Sequence, residues 1–245
     1  MKILHSILLI SLATVSVADT SLTFSNKKEN VAMKMQIANN MMRATSVDDN
    51  SSYMIYNANN TTFSIFSVND KNYYVLDKEA IESLSDIGAM MDKMLEKQLA
   101  EMPESQREMM RGMLEGALKA QMPKEMPKPE YSLTGKTKSY NGIDCEVVMK
   151  KMKRNKSEFC VAKYSEVGMS NEEYSVIQSF QETVQKMAQQ LGSDQSMDFS
   201  SLGEYIPVNY SQSGESGTLS EVNHDKLDSS LFVIPEGYKR MEMPF

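Results

Sequence analysis

Nine of the chain's 22 methionines fall between Met90 and Met126, in the run "MMDKMLEKQLAEMPESQREMMRGMLEGALKAQMPKEM". A thioether is both a soft metal ligand and a flexible apolar filler. The spacings Met91-x-x-Met94 and Met110-x-x-Met113 put sulfurs on one helical face, which is open to Cu(I) or Ag(I). The same positions belong to the apolar stripe that two helices must bury in order to form. Copper-binding methionine segments usually stand exposed among His or Asp, and this run has no His. The stripe therefore reads first as cover for a core or a hydrophobic ligand, with soft-metal binding as an alternative and docking of a partner helix as another.

The other candidate groups are few. Of two histidines, His5 lies in the leader described below, and His224 in "SEVNHDKL" reads as a loop residue rather than a base. The chain has no G-x-S-x-G, H-E-x-x-H, phosphate loop or dinucleotide fingerprint. No catalytic residue, cofactor or metal site is assigned, and the expected class is a non-enzyme. Cys145 and Cys160 are the only cysteines. In an oxidising compartment they read as one disulfide, which would stabilise by roughly 3 kcal/mol for a loop of about 15 residues.

The compartment follows from residues 1–18, "MKILHSILLISLATVSVA": a lysine, an apolar run, then small residues ending in Ala18. This is the pattern of a cleaved secretory signal peptide, too short to span a bilayer. Asp19, not Cys, follows the cut, so no thiol is there for a lipoprotein anchor. The expected product is exported, without stable membrane insertion. Removing 18 of 245 residues leaves 227, read as one domain over 19–245, with 25 basic and 33 acidic residues and a formal charge of −8. Such a chain repels nucleic acid and anionic surfaces. The basic stretch "KKMKRNK" (150–156) reads as a solvated hairpin tip.

Strands are expected from period-two alternation. Met33, Met35 and Ile37 share one face of "VAMKMQIA", and short aromatic or β-branched runs separated by Asn and Asp continue to residue 76, giving about five strands over 22–76. From Lys78 the period changes to helical: a hairpin insertion over about 78–122 is broken at Met102-Pro103 and followed by an extended linker, "MPKEMPKPE". Strands resume at Tyr131 and turn at Asn141-Gly142. A later turn centred on Arg154-Asn155 would set Cys145 opposite residue 164, so the disulfide requires an earlier turn or a bulge. Ser170 and Glu173 form a capping box for a helix with Tyr174, Ile177, Phe180, Val184, Met187 and Leu191 as its stripe. A polar loop "GSDQSMDFSSLG" leads to strands at "EYIPVNYSQSG", "GTLSEVNH" and "LFVIP", then a turn on Pro235 and Gly237. The order of elements predicts an α+β fold, with helices on one face of an antiparallel sheet.

The strings "GKTKSYNGIDCEVV", "SEFCVAKYSEVGMSNEEY", "IPV" and "LFVIPEGYK" resemble an exported bacterial family known as a domain of unknown function, similar in layout to the LolA-like lipoprotein carriers. Phe232, Pro235 and Gly237 carry the closing F-x-x-P-x-G of that layout. The resemblance implies a strongly curved antiparallel sheet, an incomplete barrel, with helices packed across its concave face, and a periplasmic location. No ligand-binding residue of LolA is matched by motif. The expectation is non-catalytic binding of a lipid or other hydrophobic ligand, with Met33, Met35, Ile37, Met91, Met94, Met110 and Met113 as candidate contacts. An envelope protein partner, met by the Met-rich hairpin, is the interaction alternative.

Overall fold

The computed structural model describes residues 19–26, 32–46, 51–84, 96, 99–100, 103, 106–107, 110–113, 129–152, 155–190, 197, 199–212 and 215–242. Six strands occupy the first part: β1 (Thr20–Ser25), β2 (Ala32–Ala38), β3 (Met41–Ser46), β4 (Ser52–Asn57), β5 (Thr62–Ser67) and β6 (Asn72–Leu76). The sequence reading of about five strands omitted β1. Its six residues offer only Leu22 and Phe24 as an alternating pair, too short a pattern to register. After helix α1 (Lys78–Leu84) come β7 (Glu130–Tyr140), β8 (Ile143–Met152), β9 (Asn155–Lys163), helix α2 (Asn171–Gln190), β10 (Tyr205–Gln212), β11 (Glu215–Asn223) and β12 (Lys239–Met241).

The twelve strands among the described residues form one sheet in the order β12-β6-β5-β4-β3-β2-β1-β11-β10-β9-β8-β7. The pairings are antiparallel except at one edge, where β12 runs parallel to β6. The architecture is thus a mixed α+β chain dominated by an open sheet. "LFVIP" does not form the expected strand. Asp228 accepts a hydrogen bond from the Ser230 amide and caps a 3-10 turn over Ser229–Phe232 instead. The expected turn on Pro235 and Gly237 is present, with the Tyr238 amide donating to the Pro235 carbonyl.

Local chemistry sets the hairpins. Asn39 and Asn40 both have positive φ between paired residues Ala38 and Met41, as do Asn141 and Gly142 between Tyr140 and Ile143. This is the two-residue turn whose twist matches the flanking strands. Asn141 Nδ2 also donates to the Leu219 carbonyl on β11 at 2.9 Å. Strands β10, β9 and β8 lie between, and on a flat sheet four strand steps would separate β7 from β11 by about 19 Å. That end of the sheet therefore turns back on itself.

Cys145 and Cys160 are bonded, with Cα atoms 5.4 Å apart. Met152 pairs with Asn155 and Val147 with Cys160, so the connection falls one residue earlier than Arg154-Asn155 and the bridge runs diagonally across one face. Of the basic stretch after β8's core, Lys151 and Lys156 are exposed as expected, but Lys150 is buried. It shares the face of Val148 and Met152, which is covered.

Helix α1 is capped by Asp77, whose Oδ1 accepts from the Ala80 amide at 2.9 Å, and it sends Ile81 into the core. Beyond it, described residues on both sides of Pro103 are helical, and Glu96 pairs with Arg111 across the break. Most of the insertion, with the linker at 122–128, lies outside the described residues. The capping box of α2 is present: the Ser170 hydroxyl accepts from the Glu173 amide at 3.2 Å, and Glu173 Oε2 accepts from the Ser170 amide at 2.8 Å. The buried carboxylate also gains from the positive end of the helix dipole. Two orphan donors are satisfied at once. Replacing Ser170 with Ala should lower unfolding free energy by about 1 kcal/mol. In urea titrations this appears as a lower midpoint at unchanged slope, and an unchanged midpoint would show that the cap contributes nothing.

Candidate functional site

Cross-strand register turns the alternation of β1–β5 into rows on the face that meets α2. One row is Thr20, Ile37, Met42, Tyr56 and Phe63; the next is Leu22, Met35, Ala44, Met54 and Ile65; the third is Phe24, Met33, Ser46, Ser52 and Ser67. The rows grade from large apolar groups to hydroxyls within two steps along the strands. Helix α2 is fastened over the first row. Tyr56 Oη and Ser179 Oγ are hydrogen-bonded at 2.7 Å, and the Phe180 ring lies 5.6 Å from Tyr56 and 5.8 Å from Phe63.

Between the helix and the second row is a cavity of about 260 Å³. The sheet supplies Leu22, Phe24, Met33, Met35, Met42 and Ala44, and β10 adds Ile206, Pro207 and Tyr210. The helix supplies Ile177, Phe180, Gln181 and Val184, with Met197 closing one side. Only Gln181 and Tyr210 bring polar atoms, and no acid, base or histidine is among these groups. The volume exceeds the roughly 150 Å³ of a dry apolar cavity that accepts benzene. It lies just under the roughly 300–1,000 Å³ of ordinary ligand pockets.

Met33 and Met35 therefore stand where the alternation placed them, in the cavity wall. Ile37 shares their face but sits a row deeper, buried in the core and bordering a separate depression beside Asn39 and Asn40. Met91 and Met94 lie outside the described residues. Met110 is half-buried, and neither it nor Met113 borders the cavity. Met113 was expected in the buried stripe but is 64% exposed. Arg111 is held toward Glu96, and a residue two positions along a helix points away from that side. Met42, Met197, Phe24 and Tyr210 were not foreseen as site residues. Met42 lies in an alternating strand run that could have flagged it, Phe24 belongs to the short β1 pattern, and Met197 comes from a stretch read as a polar loop. That loop is anchored by Phe199, fully buried with its ring 5.2 Å from Tyr131 and 5.3 Å from Phe159.

A second depression of about 420 Å³ adjoins the cavity, and the two share Phe24, Met33, Ala44 and Tyr210 as wall residues. Its remaining wall combines Tyr53, Met54, Ile65 and Gly217 with Ser25, Asn26, Thr45, Ser46, Ser52 and Ser216, of which Ser46 and Ser52 share the face of Met33 and Ala44. Phe24 and Tyr210, with ring centroids 6.4 Å apart, stand at the junction. Tyr210 lies flat against the backbone of Gly217, where an added Cβ would come within 2.5 Å of its ring. A side chain at 217 would push the tyrosine toward the junction.

His224 is a structural tie. Its Nδ1 is 3.1 Å from Thr20 Oγ1 and its Nε2 is 3.0 Å from the Val167 carbonyl. A carbonyl only accepts, so Nε2 carries hydrogen and donates to it, which leaves Nδ1 of the neutral ring to accept from Thr20. Among the described residues no cluster of three or more His, Cys, Asp or Glu has a geometry suited to a metal ion. No helix among them is long and apolar enough to cross a membrane.

On the other face of β8–β10, a polar cleft holds Glu146, Lys163, Glu166 and Tyr205. The Tyr205 hydroxyl donates to Glu146 Oε2 at 2.9 Å, and that bond, aided by burial, holds the phenol above its ordinary value of 10.0. A raised folded-state value means that the protonated phenol stabilises the fold below the ordinary value. That contribution is lost as pH rises through the folded one. The difference in unfolding midpoint between wild type and Tyr205→Phe should thus be full at neutral pH and shrink above about pH 10. A difference that stays constant across that range would exclude the Tyr205–Glu146 bond as its source.

No family model matches the chain, and no curated protein matches it. Among solved structures, PNGF-II in two crystal forms is similar over 92% of this chain. The identities are 12% and 11% and the TM-scores 0.41 and 0.42. The chain spans about a third of the length of those proteins, 31% and 32% respectively.

Proposed function

We propose that this protein is a non-catalytic, exported binder of a lipid or other hydrophobic ligand, acting in the periplasm after removal of its leader. The ligand lies between α2 and the concave face of a LolA-like half-barrel. The observation that carries this reading is the apolar cavity bounded by Met33, Met35, Phe180 and Val184. A protein interior is otherwise packed to crystal-like density. An empty space of this size removes contacts from every group that lines it. A ligand would restore those contacts, and thioether side chains would adapt to its shape.

The four methionines around one cavity, Met33, Met35, Met42 and Met197, favour a second reading, an envelope buffer for Cu(I) or Ag(I). Titration of Cu(I) against a competing chelator tests it, and an affinity no better than that of free methionine would exclude it.

For the first reading, the neutral apolar fluorophore aminoanthracene should bind the purified protein, and organic extraction should release a lipid detectable by mass spectrometry. Val184→Phe places a larger side chain into the cavity wall and should weaken fluorophore binding at least tenfold while preserving the circular dichroism spectrum. Absence of both extractable lipid and fluorophore binding in the wild type would overturn the reading.

A further inference from the structure

The chemistry of the second depression goes beyond a generic hydrophobic ligand. We propose that the two adjoining depressions form one bipartite site for a single-chain amphiphile whose head group is uncharged and bears hydroxyls. This rests on the cavity under α2 being a binding site. The chain of the ligand would lie against Met35 and Val184, pass between Phe24 and Tyr210, and leave its head beside Ser46 and Ser52, which share the face of Met33 and Ala44.

Three observations carry the assignment. The depressions share four wall residues and lie side by side along the same strands, so one ligand would reach from the first to the second without crossing the sheet. The change from apolar to hydroxyl side chains is built into the register: Leu22, Met35, Ala44 and Met54 form one row, and Met33, Ser46 and Ser52 the next outward. Finally, no described residue of the outer wall is acidic or basic, although charged residues are 24% of the chain. The neighbouring cations point elsewhere. Lys34 alternates between Met33 and Met35, and Arg43 stacks over the Tyr53 ring at 3.9 Å and donates to the Leu231 carbonyl on the opposite face. A carboxylate or phosphate head placed in this depression would lose water without gaining a fixed cation, in a chain of formal net charge −7. Hydroxyl groups on the ligand can instead exchange hydrogen bonds with serines, which both donate and accept.

Competition against bound aminoanthracene tests this with three compounds of equal chain length: monodecanoylglycerol, decanoate and decyl phosphate. Monodecanoylglycerol should displace the fluorophore at concentrations at least tenfold below either anion. The double variant Ser46→Ala/Ser52→Ala should bind aminoanthracene as wild type does and lose about tenfold in affinity for monodecanoylglycerol. Equal or stronger displacement by decanoate or decyl phosphate would overturn the head-group assignment and leave the cavity reading standing. Failure of all three compounds to displace bound fluorophore would also overturn the bipartite site, whereas failure of aminoanthracene itself to bind would instead count against the cavity reading.

Discussion

Strand β1 is paired along both edges, with β2 on one side and β11 on the other, although β2 follows it directly and β11 lies some two hundred residues later. Without those two ladders the sheet would divide into the group β2–β6 with β12 and the group β7–β11. The same six residues place Leu22 and Phe24 on the face that meets α2, and both border the cavity. Around β1, the Asp19 carboxylate accepts from the Leu227 amide at 2.7 Å, and Thr20 is tied to His224, which also binds the Val167 carbonyl. The beginning of the described chain, the turn before α2 and the segment after β11 thus converge on one strand. Long-range closure of this kind costs loop entropy that only extensive pairing offsets. The buried side chains of β1 supply the remaining gain.

The local elements were far more legible in the sequence than their partners. Alternation in β2 put Met33, Met35 and Ile37 on a common face because a strand has a period of two whatever its neighbours. The Ser170–Glu173 box and the Asn141-Gly142 turn were equally clear, since each depends on contacts within four residues. What escaped was set by tertiary pairing. Strand β12 is three exposed residues, Lys239, Arg240 and Met241, and carries no hydrophobic pattern; it exists because β6 offers it an edge. "LFVIP" reads as a strand by composition, yet Asp228 turns its first residues into a 3-10 coil, burying Phe232 and leaving Val233 and Ile234 exposed. For the candidate site, the strand half was visible, whereas Gln181, Met197 and Tyr210 join it only through folding.

The opposite face shows why the cavity is confined to one side. Tyr53 stacks on Phe66 at 4.5 Å, Phe66 stacks on Tyr73 at 5.4 Å, and Tyr238 meets Phe66 edge-on at 5.8 Å. Planar rings stacked along neighbouring strands fill space efficiently and need no helix above them. The C-terminal segment covers part of this face, fixed by the Arg43–Leu231 contact. Packing there is flat and aromatic. Across the same strands, the face toward α2 carries flexible thioethers and the small Ala44, and a curved helix-to-sheet gap cannot be closed by residues of that size.

That contrast bears on what selection of side chains at the cavity accomplishes physically. Large rigid residues at Ala44 or Val184 could fill the space and gain dispersion contacts, as Tyr56 and Phe63 do in the adjacent row against Phe180. Instead the volume persists beside Tyr210, which lies flat against the sheet because Gly217 has no Cβ to meet its ring. The apolar space and the serines Ser46 and Ser52 thus fall on successive rows of one face, because the period of a strand carries each side chain to a fixed side of the sheet.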